Sequence, residues 1–111
     1  MKIRQFDIWT ADLNPKKGTE PGKIRPVVII QTDLLNDDHP STNVCPLTTN
    51  VEAKAEFLRI HLRKGQLSKK SDILVDQIRS IDNRRLLKRI GQLNPQQKER
   101  LKQNIRIILD L

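Results

Sequence analysis

The β-branched run Val27-Val28-Ile29-Ile30 begins immediately after Gly18-Thr19-Glu20-Pro21-Gly22-Lys23-Ile24-Arg25-Pro26. A short apolar run bounded by turn signals reads as a buried strand, and Gly and Pro at this density read as a loop. A buried strand needs partners, and the chain supplies further short runs of the same kind. Ile3 to Leu13 carries Phe6, Ile8 and Trp9 among polar residues and stops at Asn14-Pro15. Val44-Cys45-Pro46-Leu47 stops at Thr48-Thr49-Asn50, and Phe57, Leu58, Ile60 and Leu62 alternate up to the turn Lys64-Gly65-Gln66. Ile73, Val75 and Ile81 mark a fifth strand. Leu86, Leu87 and Ile90 before Gly91 mark a sixth, with a helical reading of 83–90 left open. Only the C-terminus departs from this pattern. Asn94 suits an N-cap, Pro95 the first helical position and Gln97 the third, and Leu101, Ile105, Ile108 and Leu109 recur at helical spacing. Five or six short strands and one terminal helix predict a curled, mainly antiparallel sheet forming a small barrel.

At 111 residues the chain is read as one domain, 1–111, with no repeat or second unit. A chain of this size buries ~65% of its unfolded surface, so an aliphatic core holds it without a covalent staple. Cys45 is the only cysteine, which excludes an internal disulfide and points to a reducing compartment. The start Met1-Lys2-Ile3-Arg4-Gln5 has no apolar leader segment, and no run approaches a membrane span. The expected location is the cytoplasm. A net charge of +8 favours a polyanionic partner. Residues 84–106 concentrate the excess: Arg84, Arg85, Lys88, Arg89, Lys98, Arg100, Lys102 and Arg106 stand against Glu99 alone. That tract suits an RNA footprint, a docking face for an acidic peptide or simply a solvated face.

The residues set several chemistries aside. One cysteine and two histidines do not form a structural zinc site of known spacing, and Asp37-Asp38-His39 reads as a solvated loop. Neither Gly18 nor Gly22 continues into a phosphate-binding loop motif. A two-histidine ribonuclease would need His39 and His61 to converge, and His61 reads as a structural position in mid-strand. An arginine- and hydroxyl-based site remains. Arg25 precedes the strand Val27 to Ile30, and Thr48 follows the strand Val44 to Leu47. If the two strands are antiparallel neighbours, Arg25 and Thr48 share one rim of the sheet. A guanidinium fork and a hydroxyl there can hold a phosphate and stabilise charge growing on its oxygens.

Three segments together resemble the MazF/PemK family of toxin endoribonucleases. They are Asp12-Leu13-Asn14-Pro15 running through Gly18-Thr19-Glu20 to Ile24-Arg25-Pro26-Val27-Val28, then Pro46-Leu47-Thr48-Thr49, then Asp72-Ile73-Leu74-Val75-Asp76-Gln77-Ile78-Arg79-Ser80-Ile81-Asp82. They occur in order and span nearly the whole chain. The resemblance implies an SH3-like barrel of five to seven strands with a C-terminal helix, and a homodimer that cuts single-stranded RNA without a metal or other cofactor. It implies Arg25 and Thr48 as the catalytic pair, and products with 2′,3′-cyclic phosphate and 5′-hydroxyl ends. It also implies an acidic, partly disordered antitoxin covering the basic groove. Leu74 stands two residues before Asp76, where some members carry a basic residue.

With three aromatic residues in the chain, stacking platforms for bases are scarce. Recognition is therefore expected from loops 14–23 and 49–55 through Lys16, Lys17, Thr19, Glu20 and Lys54, with Asp76 and Gln77 lining the groove. Dimer contacts are expected from strand edges or from the terminal helix around Ile105 and Ile108. The alternative within the same fold is a non-catalytic, CcdB-like toxin that poisons DNA gyrase. The ending Leu109-Asp110-Leu111 lacks the aromatic tip such a wedge would favour. A non-catalytic RNA-binding barrel is compatible with the charge alone.

Overall fold

The strand Ser41–Thr48 organises the molecule, because it changes partner along its length. The computed structural model describes residues 2–14, 18–19, 23–55, 57–63 and 66–111. In chain order the strands are β1 (Asp7–Asp12), β2 (Ile24–Ile29), β3 (Ser41–Thr48), β4 (Arg59–Leu62), β5 (Ser71–Leu74), β6 (Arg79–Asp82) and β7 (Leu86–Gln92), followed by helix α1 (Pro95–Leu109). All their pairings are antiparallel. One edge of β3 pairs with β2, from Val27–Pro46 to Ile29–Val44. Its other edge pairs with β6 over residues 41–44 and with β5 at Leu47 and Thr48. Pro46, which has no N–H to give a ladder, falls in the gap between those two partners.

The path β7-β1-β2-β3-β6 wraps around a core of Trp9, Ala11, Val27, Ile29, Val44, Ile81 and Leu86. Its two end strands, β6 and β7, are consecutive in the chain and joined by the 3₁₀ turn Asn83–Arg85, with no ladder between them. This is the expected small barrel, present as a seven-stranded sheet that is not closed. On the other face, Ile8, Val28, Cys45 and Leu47 pack with Ile60, Leu62, Ile73, Val75 and Leu101 beneath α1. Alternation along a strand puts neighbours on opposite faces, so Val27 and Val28 serve different cores.

Two details depart from the sequence reading and an open alternative is resolved. The first strand starts at Asp7 rather than Ile3, because Phe6 takes a left-handed turn (φ 69°) and sends its N–H to Ile29 O. The single fifth strand is two strands, β5 and β6, separated by the 3₁₀ turn Val75–Gln77. The strand read at Leu86 to Gly91 is present as β7, Leu86–Gln92, in place of the helical alternative. The terminal helix matches its caps: Asn94 Oδ1 accepts from Gln97 N–H at 2.8 Å, and Gln97 Oε1 accepts from Asn94 N–H at 3.0 Å. Ile105 and Ile108 turn inward against the core, while Ile107, Leu109 and Leu111 are exposed. The helical aliphatics left on the outer side are therefore Ile107 and Leu109. No described helix is long and apolar enough to cross a membrane.

Candidate active site

The register of β2 with β3, carried two residues past the Val27–Pro46 pair, sets Arg25 opposite Thr48. Arg25 Nη1 donates to Leu47 O at 3.2 Å, so the guanidinium is anchored beside Thr48. Thr48 Oγ1 accepts the Asn50 N–H at 3.1 Å, an arrangement that closes the turn after β3. With a lone pair engaged in that way, the hydroxyl proton is directed away from Asn50 and is available to donate. Arg25 and Thr48 are both half-buried and line one cleft of about 1090 Å³. Lys23, Asn50, Ser68 and Lys69 contribute further polar groups, and Ile24 and Ile90 form apolar wall. The rim geometry expected from sequence is present.

Tethers on both sides hold these residues. Lys23 N–H donates to Asn14 Oδ1 at 2.6 Å, Leu13 N–H to Lys23 O at 2.9 Å, and Arg85 Nη1 to Asp12 O at 3.0 Å. They clamp the base of the β1–β2 loop just before Arg25. On the Thr48 side, the cross-strand partner is Asp72 of β5, which is fully buried. Asp72 Oδ2 accepts from Glu52 N–H at 2.9 Å and Arg59 Nη1 at 3.1 Å, and Oδ1 faces His61 Nδ1 at 2.6 Å. Arg59 Nη1 also donates to Asn50 O. The loop after Thr48 is thus stapled to β4 and β5. Burial pushes the Asp72 carboxyl up, but the Glu52 N–H, His61 and Arg59 bring it below the usual carboxylate range.

The other expected contact residues are dispersed. Lys16, Lys17 and Glu20 lie outside the described residues. Thr19 and Lys54 are exposed on their loops, and Asp76 and Gln77 form the 3₁₀ turn after β5; none of these four is among the described residues lining the cleft. His39 bonds Ser41 at the far end of β3 from Thr48, and neither His39 nor His61 is among the described residues lining the cleft, so the two histidines do not converge there. Lys23, Asn50, Ser68, Lys69 and Asp72 escaped the sequence reading. Asp72 carried one signal, a carboxylate directly at the head of the apolar run Ile73 to Val75.

The basic tract of 84–106 does not supply the cleft. Arg84 pairs with Asp82 and Arg89 with Asp7, Arg85 ties the β1–β2 loop, and Lys98 and Lys102 lie over the Phe6 ring. Among the described residues no group of three or more His, Cys, Asp and Glu side chains gathers as a metal-binding set.

The fold is an open antiparallel barrel with a C-terminal helix, and its cleft presents an arginine, a threonine and two lysines, groups chemically able to hold a phosphate. The chain belongs to the family of PemK-like, MazF-like toxins of type II toxin–antitoxin systems, which it matches over residues 4–109. A protein named endoribonuclease MazF from Staphylococcus epidermidis is 41% identical over 91 residues, covering 79% of this chain and 75% of that one. The structure of MazF from Deinococcus radiodurans superposes with a TM-score of 0.86 at 19% identity, covering 100% of this chain and 99% of that one. A mycobacterial endoribonuclease in complex with its cognate antitoxin gives 0.78 at 14% identity, covering 99% and 95%. These last two likenesses carry the fold.

Proposed function

We propose that this protein is the endoribonuclease toxin of a toxin–antitoxin pair, cutting single-stranded RNA in the cytoplasm at short sequences. The observation that supports this most is Arg25, anchored on Leu47 O beside the Thr48 hydroxyl in one cleft. The endoribonuclease name of the 41% identical relative agrees with it.

In the proposed chemistry the ribose 2′-oxygen attacks the adjacent phosphorus and the 5′-oxygen leaves. The products are a 2′,3′-cyclic phosphate and a 5′-hydroxyl. The 2′-proton passes to solvent, and the departing oxygen takes a proton from solvent. A guanidinium stays charged in proteins, so the role of Arg25 is to stabilise charge growing on the non-bridging oxygens. Thr48 donates its hydroxyl proton to the same phosphate and fixes its orientation. No metal or cofactor is assigned a role. Lys16, Lys17, Thr19, Glu20 and Lys54 would contact flanking nucleotides from the two loops, and Asp76 and Gln77 a more distant part of the groove.

Two copies would lengthen the channel, and the working form is proposed as a homodimer. An acidic antitoxin segment would compete with RNA for it. The test is incubation of the purified protein with a long RNA in EDTA, followed by mapping of the cut ends. Discrete cuts with 5′-hydroxyl ends are expected. Products with 5′-phosphates, or cutting restored only by a divalent ion, would overturn the mechanism.

A further inference from the structure

We infer that the pocket between β4 and the first turns of α1 is a second anion site, holding a backbone phosphate of the RNA strand away from the scissile position. This rests on the RNA-cutting reading above. The pocket has a volume of about 520 Å³. Residues two apart on a strand share a face: Arg59 and His61 of β4 do so, Arg63 directly follows the strand, and all three line the pocket with Arg100 of α1.

The four basic side chains are held in two different ways. Arg59 and His61 are fixed from behind by the buried Asp72, at 3.1 and 2.6 Å. His61 uses Nδ1 for that contact, and its Nε2 lies on the other side of the ring. Arg63 and Arg100 are exposed, and neither side chain makes a hydrogen bond or ion pair among the described residues. The buried carboxylate reaches only Arg59 and His61 and already accepts a backbone N–H, while the pocket holds three guanidiniums and an imidazole. The start of α1 also borders the pocket through Asn94 and Gln97, adding the positive end of the helix dipole. Among the described residues, the basic side chains lining it are three arginines and a histidine. Planar guanidinium forks match phosphate oxygens in pairs.

The pocket adjoins the Arg25–Thr48 cleft, because Gln66 lines both. Gln66 and Gln97 exchange two side-chain hydrogen bonds, at 2.6 and 2.7 Å, and Gln66 also donates to Gln92 O. Gln97 is in turn held by the helix cap. The ridge between the two sites is therefore a fixed saddle across which one extended strand can lie. Repeated phosphates on a strand already seated in the cleft favour RNA over an acidic peptide as the occupant.

The test compares the wild type with Arg63→Gln/Arg100→Gln on two RNAs: a long single strand containing a mapped cut site, and the shortest oligonucleotide still cut there. Both side chains are exposed, so the melting temperature is expected to stay unchanged. For the long RNA, KM should rise roughly tenfold with kcat unaltered, and the slope of log KM against log salt should flatten by about 0.7 per lost phosphate contact. The short RNA should be cut as by the wild type. Arg63→Lys/Arg100→Lys, which keeps the charge and loses the forks, should fall between. Unchanged kinetics on the long RNA would overturn the inference. So would an equal loss of kcat on both RNAs, or weakened antitoxin binding with normal RNA cutting. Failure of the wild type to cut either RNA would instead overturn the proposed function.

Discussion

Asp72 has no exposure to water and takes its hydrogen bonds from Glu52 N–H, Arg59 and His61. Burial alone would favour its neutral form, and those partners more than reverse that preference. Its folded pKa lies below the unfolded value of about 3.9. The unfolded chain therefore binds the proton first as pH falls. The stabilisation from Asp72 is complete above about pH 4 and is lost as pH drops through its folded value. Thermal melts between about pH 3 and 7 should show this acid loss, and Asp72→Asn should flatten it while lowering stability at neutral pH by about 3 kcal/mol, as breaking a buried pair does. A melt whose pH dependence survives in that variant would assign the acid loss to other carboxylates. In the cleft itself, Arg25→Lys should cut turnover on the order of 10²-fold, because an ammonium cannot reproduce the fork beside Thr48. Thr48→Val should lower kcat by a similar factor with little change in KM. A rise in KM alone would make Thr48 a binding group.

At the scale of elements, α1 begins where local chemistry says it should. Asn94 and Gln97 exchange both capping hydrogen bonds with Pro95 between them, and Leu101 is fully buried. Asn94→Ala should cost about 1 kcal/mol in denaturant unfolding. Because Gln97 also holds Gln66, the double change Asn94→Ala/Gln66→Ala should depart from additivity. Additive losses would separate the cap from the saddle. These caps were legible in the sequence because every contact is within three residues. The Arg25–Thr48 rim was legible because two apolar runs fix two strand ends and antiparallel pairing does the rest. The break between β5 and β6 was not legible: Ile73, Val75 and Ile81 keep burying through the 3₁₀ turn, and an alternating pattern does not say which strand lies alongside. Nor was the cluster around Asp72, whose partners come from 11, 13 and 20 residues away on separate segments. His61, read as structural, is held by a carboxylate that only the β4–β5 register brings to it.

The whole molecule has two cores on either side of one sheet, and β3 is common to both. Cys45 lies in that strand, fully buried, paired with Val28 and packed among Ile8, Leu47 and Val75. Burial pushes its thiol up to about 12, with the charge of Asp76 adding to the effect. The thiolate is the nucleophile in alkylation, so folded Cys45 is protected both by access and by ionisation. Exposing it means separating β3 from β2, β5 and β6, which dismantles the barrel and the helix-covered core together. Alkylation by iodoacetamide near neutral pH should therefore proceed only through global unfolding, with the denaturant dependence of the circular dichroism transition. Where opening is fast and reversible, a loss of about 3 kcal/mol in Asp72→Asn should speed labelling on the order of 10²-fold. Arg63→Gln/Arg100→Gln, which alters exposed side chains only, should leave the rate alone. Labelling that ignores denaturant would instead mean that β3 opens locally at the Cys45–Pro46 gap, where its second edge has no partner strand.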